Sequence, residues 1–195
     1  NHILTMTNAQ WVVYTKSGTA LLANSFATWW HSPAGTPFDP KCFYDAVAGR
    51  FVMLAVSQSS TQAFYHISVS QTSDPTGSWF NYQLDATLDG TTATGNWSDF
   101  PGFGYDNNAV YVTSNQFSRS TNVFQYAKIR VLSKAALYSG ASITWTASLT
   151  TSERTGMPHC SMRGGDSAFG LSATSARRIV SSLTPSAAAA SCRAA

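Results

Sequence analysis

The chain has 195 residues, of which 13% are aromatic and only 11% charged, a balance that suits short, tightly packed strands and argues against disorder or a coiled coil. Its formal net charge is +3, but residues 1–150 hold four Lys and three Arg against seven Asp and sum to zero, while residues 151–195 set five Arg against Glu153 and Asp166. The body therefore offers no basic patch to a nucleic acid, and no apolar run approaches the ~18 residues that would span a bilayer.

The chain opens Asn1-His2 with no charged segment and apolar stretch behind it, so the native start and any targeting peptide are expected to lie outside it. Runs rich in Val, Ile, Tyr, Phe and Trp, separated by Gly, Pro, Asp, Asn and Ser clusters, predict strands over 2–6, 11–15, 20–23, 51–56, 63–70, 79–84, 109–114, 123–131 and 143–145. One short helix is expected over 133–140, where Ser133 can cap the start and Gly140 the end. In the segments between strands, Trp29-Trp30-His31 and Gly95-Asn96-Trp97-Ser98 place Trp29, Trp30 and Trp97 as candidates for stacking on a sugar or a peptide. The competing expectation is that these rings fill the space between sheets.

The body repeats itself. Pro40, Tyr44 and Asp45 recur as Pro101, Tyr105 and Asp106 at a constant offset of 61, and each copy leads into an apolar strand. The strand containing Phe64 likewise matches the one containing Phe124 at an offset of 60. A unit of about 60 residues is the size of a four-stranded sheet with its connections, so the expectation is an all-β body of repeated antiparallel sheets, an incomplete propeller of two to three blades, over residues 1–146.

The strings Phe38-Asp39-Pro40-Lys41-Cys42-Phe43-Tyr44-Asp45, Gly49-Arg50-Phe51-Val52, Thr72-Ser73-Asp74-Pro75-Thr76-Gly77-Ser78-Trp79 and Trp97-Ser98-Asp99-Phe100-Pro101 resemble a family of secreted bacterial β-propeller proteins, mostly of unassigned function. The segment around Asp74 is also similar to the Asp-box turn of sialidase-like propellers, with two residues between Asp74 and Gly77 where that motif has one. The resemblance implies a propeller architecture and export to the cell surface or medium. It supplies no catalytic residues, and even an Asp box is a turn-building device.

A glycoside hydrolase would need two carboxylates across a sugar bond, one of them with a raised pKa. Residues 1–150 contain no Glu, and their seven Asp each lie beside a turn former, where a carboxylate commonly bonds the local backbone. Asp39, Asp45 and Asp99 are the candidates if hydrolysis occurs, and sialidase chemistry would also require Arg50, Arg119 and Arg130 to converge. The alternative is a non-catalytic segment that binds carbohydrate or protein. His2, His31, His66 and His159 are scattered, and Cys42, Cys160 and Cys192 lack metal-ligand spacing, so no metal or cofactor is expected beyond calcium in the oxygen-rich loops at 85–99 and 106–108. Cys42 is expected to be a small buried residue.

Residues 147–195 form a separate segment. From residue 151 they contain nine Ser, five Arg, a single aromatic (Phe169) and the run Ala187-Ala188-Ala189-Ala190. A solvated low-complexity tail and an out-of-frame translation of GC-rich coding sequence both account for this composition. Either way, two or three blades without closure leave open sheet edges through which copies of the body are expected to associate.

Overall fold

The computed structural model describes residues 1–150. These form an all-β fold of three antiparallel sheets and a small hairpin, none closed on itself. The first sheet has strands β1 (His2–Met6), β2 (Gln10–Thr15) and β3 (Ala20–Ser25), followed by helix α1 (Phe26–Trp30). The second has β4 (Phe38–Asp45), β5 (Arg50–Gln58), β6 (Ala63–Ser70) and β7 (Trp79–Asp85). After the hairpin of β8 (Leu88–Asp89) and β9 (Thr92–Ala93), the third sheet has β10 (Asn96–Tyr105), β11 (Ala109–Ser118) and β12 (Phe124–Ser133). Helix α2 (Lys134–Ser139) then leads to β13 (Trp145–Thr150). Within each sheet the strands pair in chain order, antiparallel throughout, with β12 and β13 joined through α2, as consecutive strands commonly do.

The second sheet is covered on both sides, and its sequence says so. Strand β5 reads Val52-Met53-Leu54-Ala55-Val56 without a polar residue, and all five side chains are buried. Successive side chains point to opposite faces. Val52, Leu54 and Val56 therefore join Tyr65, Ile67, Phe103, Val110 and Leu132 in the core facing the third sheet, while Met53 and Ala55 join Trp11, Val13, Phe26 and Trp30 in the core facing the first. Each such aliphatic side chain contributes about 1.5–3 kcal/mol on leaving water.

The two helices are short and capped. Ser25 accepts the Thr28 N–H at 3.1 Å and Ser133 accepts the Ala136 N–H at 3.3 Å, and Gly140, with φ 77°, ends α2 in the left-handed conformation. Helix α2 matches the expected element. Helix α1 and strands β4 and β10 fall where no regular element was predicted. The last described strand starts at Trp145 and runs to Thr150, past the expected body limit of residue 146. The tail beyond residue 150, including Cys160 and Cys192, lies outside the described residues.

Candidate functional site

The repeat seen in the sequence is a repeat of backbone distortion. Asp39 and Phe100, each directly before a repeated proline, have φ of 50° and 47°, a left-handed conformation that non-glycine residues seldom adopt and that a following proline further disfavours. Each lies where the strand register slips, between Phe38 and Lys41 in β4 and between Asp99 and Gly102 in β10. These are two copies of one bulge.

The first strands of the second and third sheets lie side by side. Lys41 sits over the Phe100 ring at 5.0 Å, Phe43 meets Phe103 and Tyr105 at 4.7 and 4.4 Å, and the Tyr105 hydroxyl donates to the Tyr44 carbonyl at 3.3 Å. Contacts in the same order along both chains mean that β4 and β10 run parallel. Their bulged ends bring Asp39 within hydrogen-bond reach of Asp99. Burial pushes the Asp99 carboxyl up from its ordinary value, the Phe100 N–H opposes this, and the Asp39 charge adds to the rise. Asn8 completes the group: its side-chain oxygen accepts the Asp39 N–H at 2.9 Å and its amide donates to Asp39 Oδ1 at 3.4 Å.

Asp45, the third candidate carboxylate, is placed elsewhere, at the opposite end of β4 from Asp39. It is fully buried, and Oδ1 accepts the N–H groups of Val47 and Ala48 at 3.1 and 3.0 Å. Oδ2 takes an ion pair from Lys134 and a hydrogen bond from the Tyr138 hydroxyl at 3.1 Å. Its repeat partner Asp106 builds the same turn, accepting from Asn108 N at 2.8 Å and Ala109 N at 2.9 Å. Asp74 and Asp85 each hold the N–H and hydroxyl of a threonine two residues on, Thr76 and Thr87. Asp89 is paired with Lys128 at 2.6 Å and bound by the Tyr126 hydroxyl at 2.5 Å. In the oxygen-rich loops Asp85 and Asp106 thus build turns and Asp89 holds an ion pair, and among the described residues no group of three His, Cys, Asp or Glu side chains gathers.

The three tryptophans proposed as ligand platforms are engaged with the protein. Trp29 and Trp30 both donate their indole N–H to Ser68 Oγ, at 2.9 and 2.8 Å, and Ser68 donates to Asn81 Oδ1 at 2.6 Å. Trp29 also meets Trp11 and Trp79 at 4.7 and 6.0 Å, filling the seam between the first two sheets. Trp97 lies 5.5 Å from Phe117 and packs on the core of the third sheet. The arginines bind backbone carbonyls at separate places: Arg50 at Ala48 and Gly49, Arg119 at Ser59, and Arg130 at Asp85 and Leu88. Cys42, expected inside, is exposed, because the strand alternation turns it outward while Phe43 packs inward.

A cleft that sequence reasoning missed opens where the first two sheets meet, at the Tyr44 end of β4. It has a volume of about 480 Å³ and is lined by Asn1, His2, Lys16, Tyr44, Phe51, Ser73 and Asp74. In the sequence, Tyr44 is marked by its repetition as Tyr105 and Asp74 by its Asp-box-like turn, but neither as part of a cleft. Comparison with protein-family models, curated proteins and solved structures finds no match to this chain.

Proposed function

We propose that residues 1–150 are part of a non-catalytic β-propeller-type binding unit of an exported or cell-surface protein, with carbohydrate as its ligand. The propeller reading is supported by consecutive antiparallel sheets joined through side-by-side, parallel first strands. Strand β1 runs opposite to β4, since Asn8 just beyond its end bonds Asp39 while His2 at its start shares the cleft with Tyr44. The first sheet then supplies the second to fourth strands of a unit whose innermost strand would lie beside β1.

One observation carries the non-catalytic reading. Of the seven Asp carboxylates of residues 1–150, five, those of Asp45, Asp74, Asp85, Asp89 and Asp106, build their own turns or are held in ion pairs. The other two, Asp39 and Asp99, are in hydrogen-bond reach of each other. Carboxyls in mutual hydrogen-bond contact lack the ~6.5–9.5 Å that an inverting glycosidase leaves for its water. The test is to incubate the chain with a panel of oligosaccharides and follow both binding and hydrolysis. Binding without release of reducing ends is expected; turnover that disappears in Asp39→Asn or Asp99→Asn would restore the hydrolase reading.

A further inference from the structure

We propose that the cleft between the first two sheets is a saccharide-binding site, selective for neutral sugars, in which Tyr44 is the stacking platform and Asp74 and Lys16 bind hydroxyls. This assignment rests on the carbohydrate-binding reading above and says where, and to which class of sugar, that binding occurs.

Tyr44 is one of the few large apolar side chains in the described residues left well exposed, at 43%. A lone exposed aromatic is ordinary, but this one is held in place. Its ring rests on Phe51, directly across the strand pair, with centroids 4.6 Å apart. Its carbonyl accepts the Tyr105 hydroxyl at 3.3 Å. Its own hydroxyl lies over Gly49, whose φ of 65° closes the β4–β5 turn. A ring fixed in this way loses little conformational entropy when a ligand covers it.

Around the ring stand the polar groups a sugar needs. Asp74 Oδ1 is fixed by the Thr76 hydroxyl at 2.7 Å and the Thr76 N–H at 2.9 Å, and these bonds hold the carboxyl below its usual range. It is therefore an ionised acceptor at neutral pH. Its second oxygen has no hydrogen-bond partner among the described residues, and neither does the Lys16 ammonium. His2 Nε2 lies 4.0 Å from Asp74 Oδ1 and offers a further donor. A carboxylate accepts from hydroxyls and an ammonium donates to them, and charge-assisted bonds of this kind are the stronger ones.

The size and charge of the cleft narrow the class of ligand. Its volume of about 480 Å³ falls within the roughly 300–1,000 Å³ of small-molecule sites, and it is open to solvent along one side. Among the side chains of the lining one carboxylate faces one ammonium, and the amino group of Asn1 acts on Asp74 as well, so the selectivity for neutral sugars rests on Asp74, which the carboxylate of a charged sugar would meet. An apolar ring face over Tyr44 with hydroxyls directed to Asp74, Lys16 and His2 describes a neutral hexose unit.

The test uses the full chain on immobilised gluco-, galacto- and manno-oligosaccharides beside uronic-acid oligomers, with the tightest binder then titrated in solution. Tyr44→Ala is expected to weaken that binding about fivefold to tenfold, the range for losing one aromatic contact. Asp74→Asn, which keeps the acceptor for Thr76, should weaken it comparably, and Tyr44→Phe should retain most of it. Val47→Ser, at an 87% exposed position outside the cleft, should have no effect. Thermal melts matched to wild type would show that the variants are folded. Neutral-sugar binding that survives Tyr44→Ala and Asp74→Asn would overturn the cleft as its site while leaving the carbohydrate reading intact. Binding confined to the uronic-acid oligomers would overturn the neutral class, and no binding to any oligosaccharide would remove the carbohydrate reading and this site together.

Discussion

Lys134 on α2 and Asp45 at the end of β4 form a buried ion pair that ties the second sheet to the third. The same ammonium donates to the carbonyl of Asp106 at 2.9 Å, so one side chain grips both copies of the repeated Tyr-Asp turn. It lies 4.9 and 5.3 Å from the ring centres of Tyr105 and Tyr138, which compensate part of its lost hydration.

Removing one partner should be far worse than removing both. Lys134→Met leaves the Asp45 carboxylate buried without its cation, and a loss of about 3–5 kcal/mol is expected, a large part of the ~5–15 kcal/mol that holds an ordinary domain together. The double variant Lys134→Met with Asp45→Asn keeps the turn acceptor and removes the charge, so it should recover most of that loss. Urea midpoints of the three chains measure this, and a double variant no more stable than the single would overturn it. Burial alone would raise the Asp45 carboxyl, but Lys134, the Ala48 N–H and the Tyr138 hydroxyl reverse this and hold it below its usual value. The stability from this pair is thus present above the unfolded carboxylate pKa of about 3.9 and is lost as pH falls through the lower folded value.

His66 sets an earlier acid limit. Its ring is fully buried in β6, with Nε2 2.8 Å from Ser57 Oγ and Nδ1 without a partner among the described residues. Burial lowers its pKa to about 4. Below the unfolded value of about 6.5 the unfolded chain binds the proton and the folded chain does not, so stability falls as pH drops from about 6.5 to 4. At 1.36 kcal/mol for each pH unit, the loss is roughly 3 kcal/mol. Urea titrations across that window should show the slope in the wild type and not in His66→Gln; equal slopes would refute it.

The opposite sign applies at the paired bulges. The raised Asp99 carboxyl means that the folded protein holds this proton more tightly than the unfolded chain does. The ionised side chain therefore works against folding at neutral pH. Asp99→Asn preserves an acceptor for the Phe100 N–H and removes the repulsion from Asp39, so it should stabilise the chain at pH 7 by up to about 1 kcal/mol. The gain should fade as pH falls below about 3.9, where both states of the wild type are protonated. A neutral or destabilising effect at pH 7 would mean that the two carboxyls do not oppose each other.

Most of the strands could be read from the chain because their signal is local. The continuous apolar run of β5, the alternation of β6 and the capped turn at Ser133 each need only a short window of sequence. Strands β4 and β10 escaped because Asp39-Pro40 and Phe100-Pro101 break the alternation with a bulge, and proline argues against a strand. Helix α1 has five residues, three of them aromatic, too short to express a helical period. The candidate carboxylates Asp39 and Asp99 were visible as residues. Their meeting was not, because it depends on two bulges, 61 residues apart in sequence, being laid side by side. Lys134 gave no signal for a similar reason: its partners are 89 and 28 residues away.

The end of α2 offers the sharpest check on how the helix sits. Gly140 closes it with φ 77°, and a Cβ built there would lie 2.5 and 2.7 Å from the Phe80 ring on β7, far inside van der Waals contact. The neighbouring Tyr82 hydroxyl donates to the Leu137 carbonyl at 2.8 Å, so the helix cannot simply lift away from this sheet without breaking a second contact. Gly140→Ala must therefore bear two costs: about 1 kcal/mol for a left-handed alanine, and about 1–3 kcal/mol for displacing the ring. Gly18→Ala separates them, since Gly18 has φ 91° and no atom within 4 Å of its would-be Cβ, and it should lose only the first. Urea midpoints that place the two alanine variants at equal stability would mean that Phe80 does not pack on the helix end, and that α2 is held to the second sheet by Lys134, Leu137, Tyr138 and Tyr82 without it.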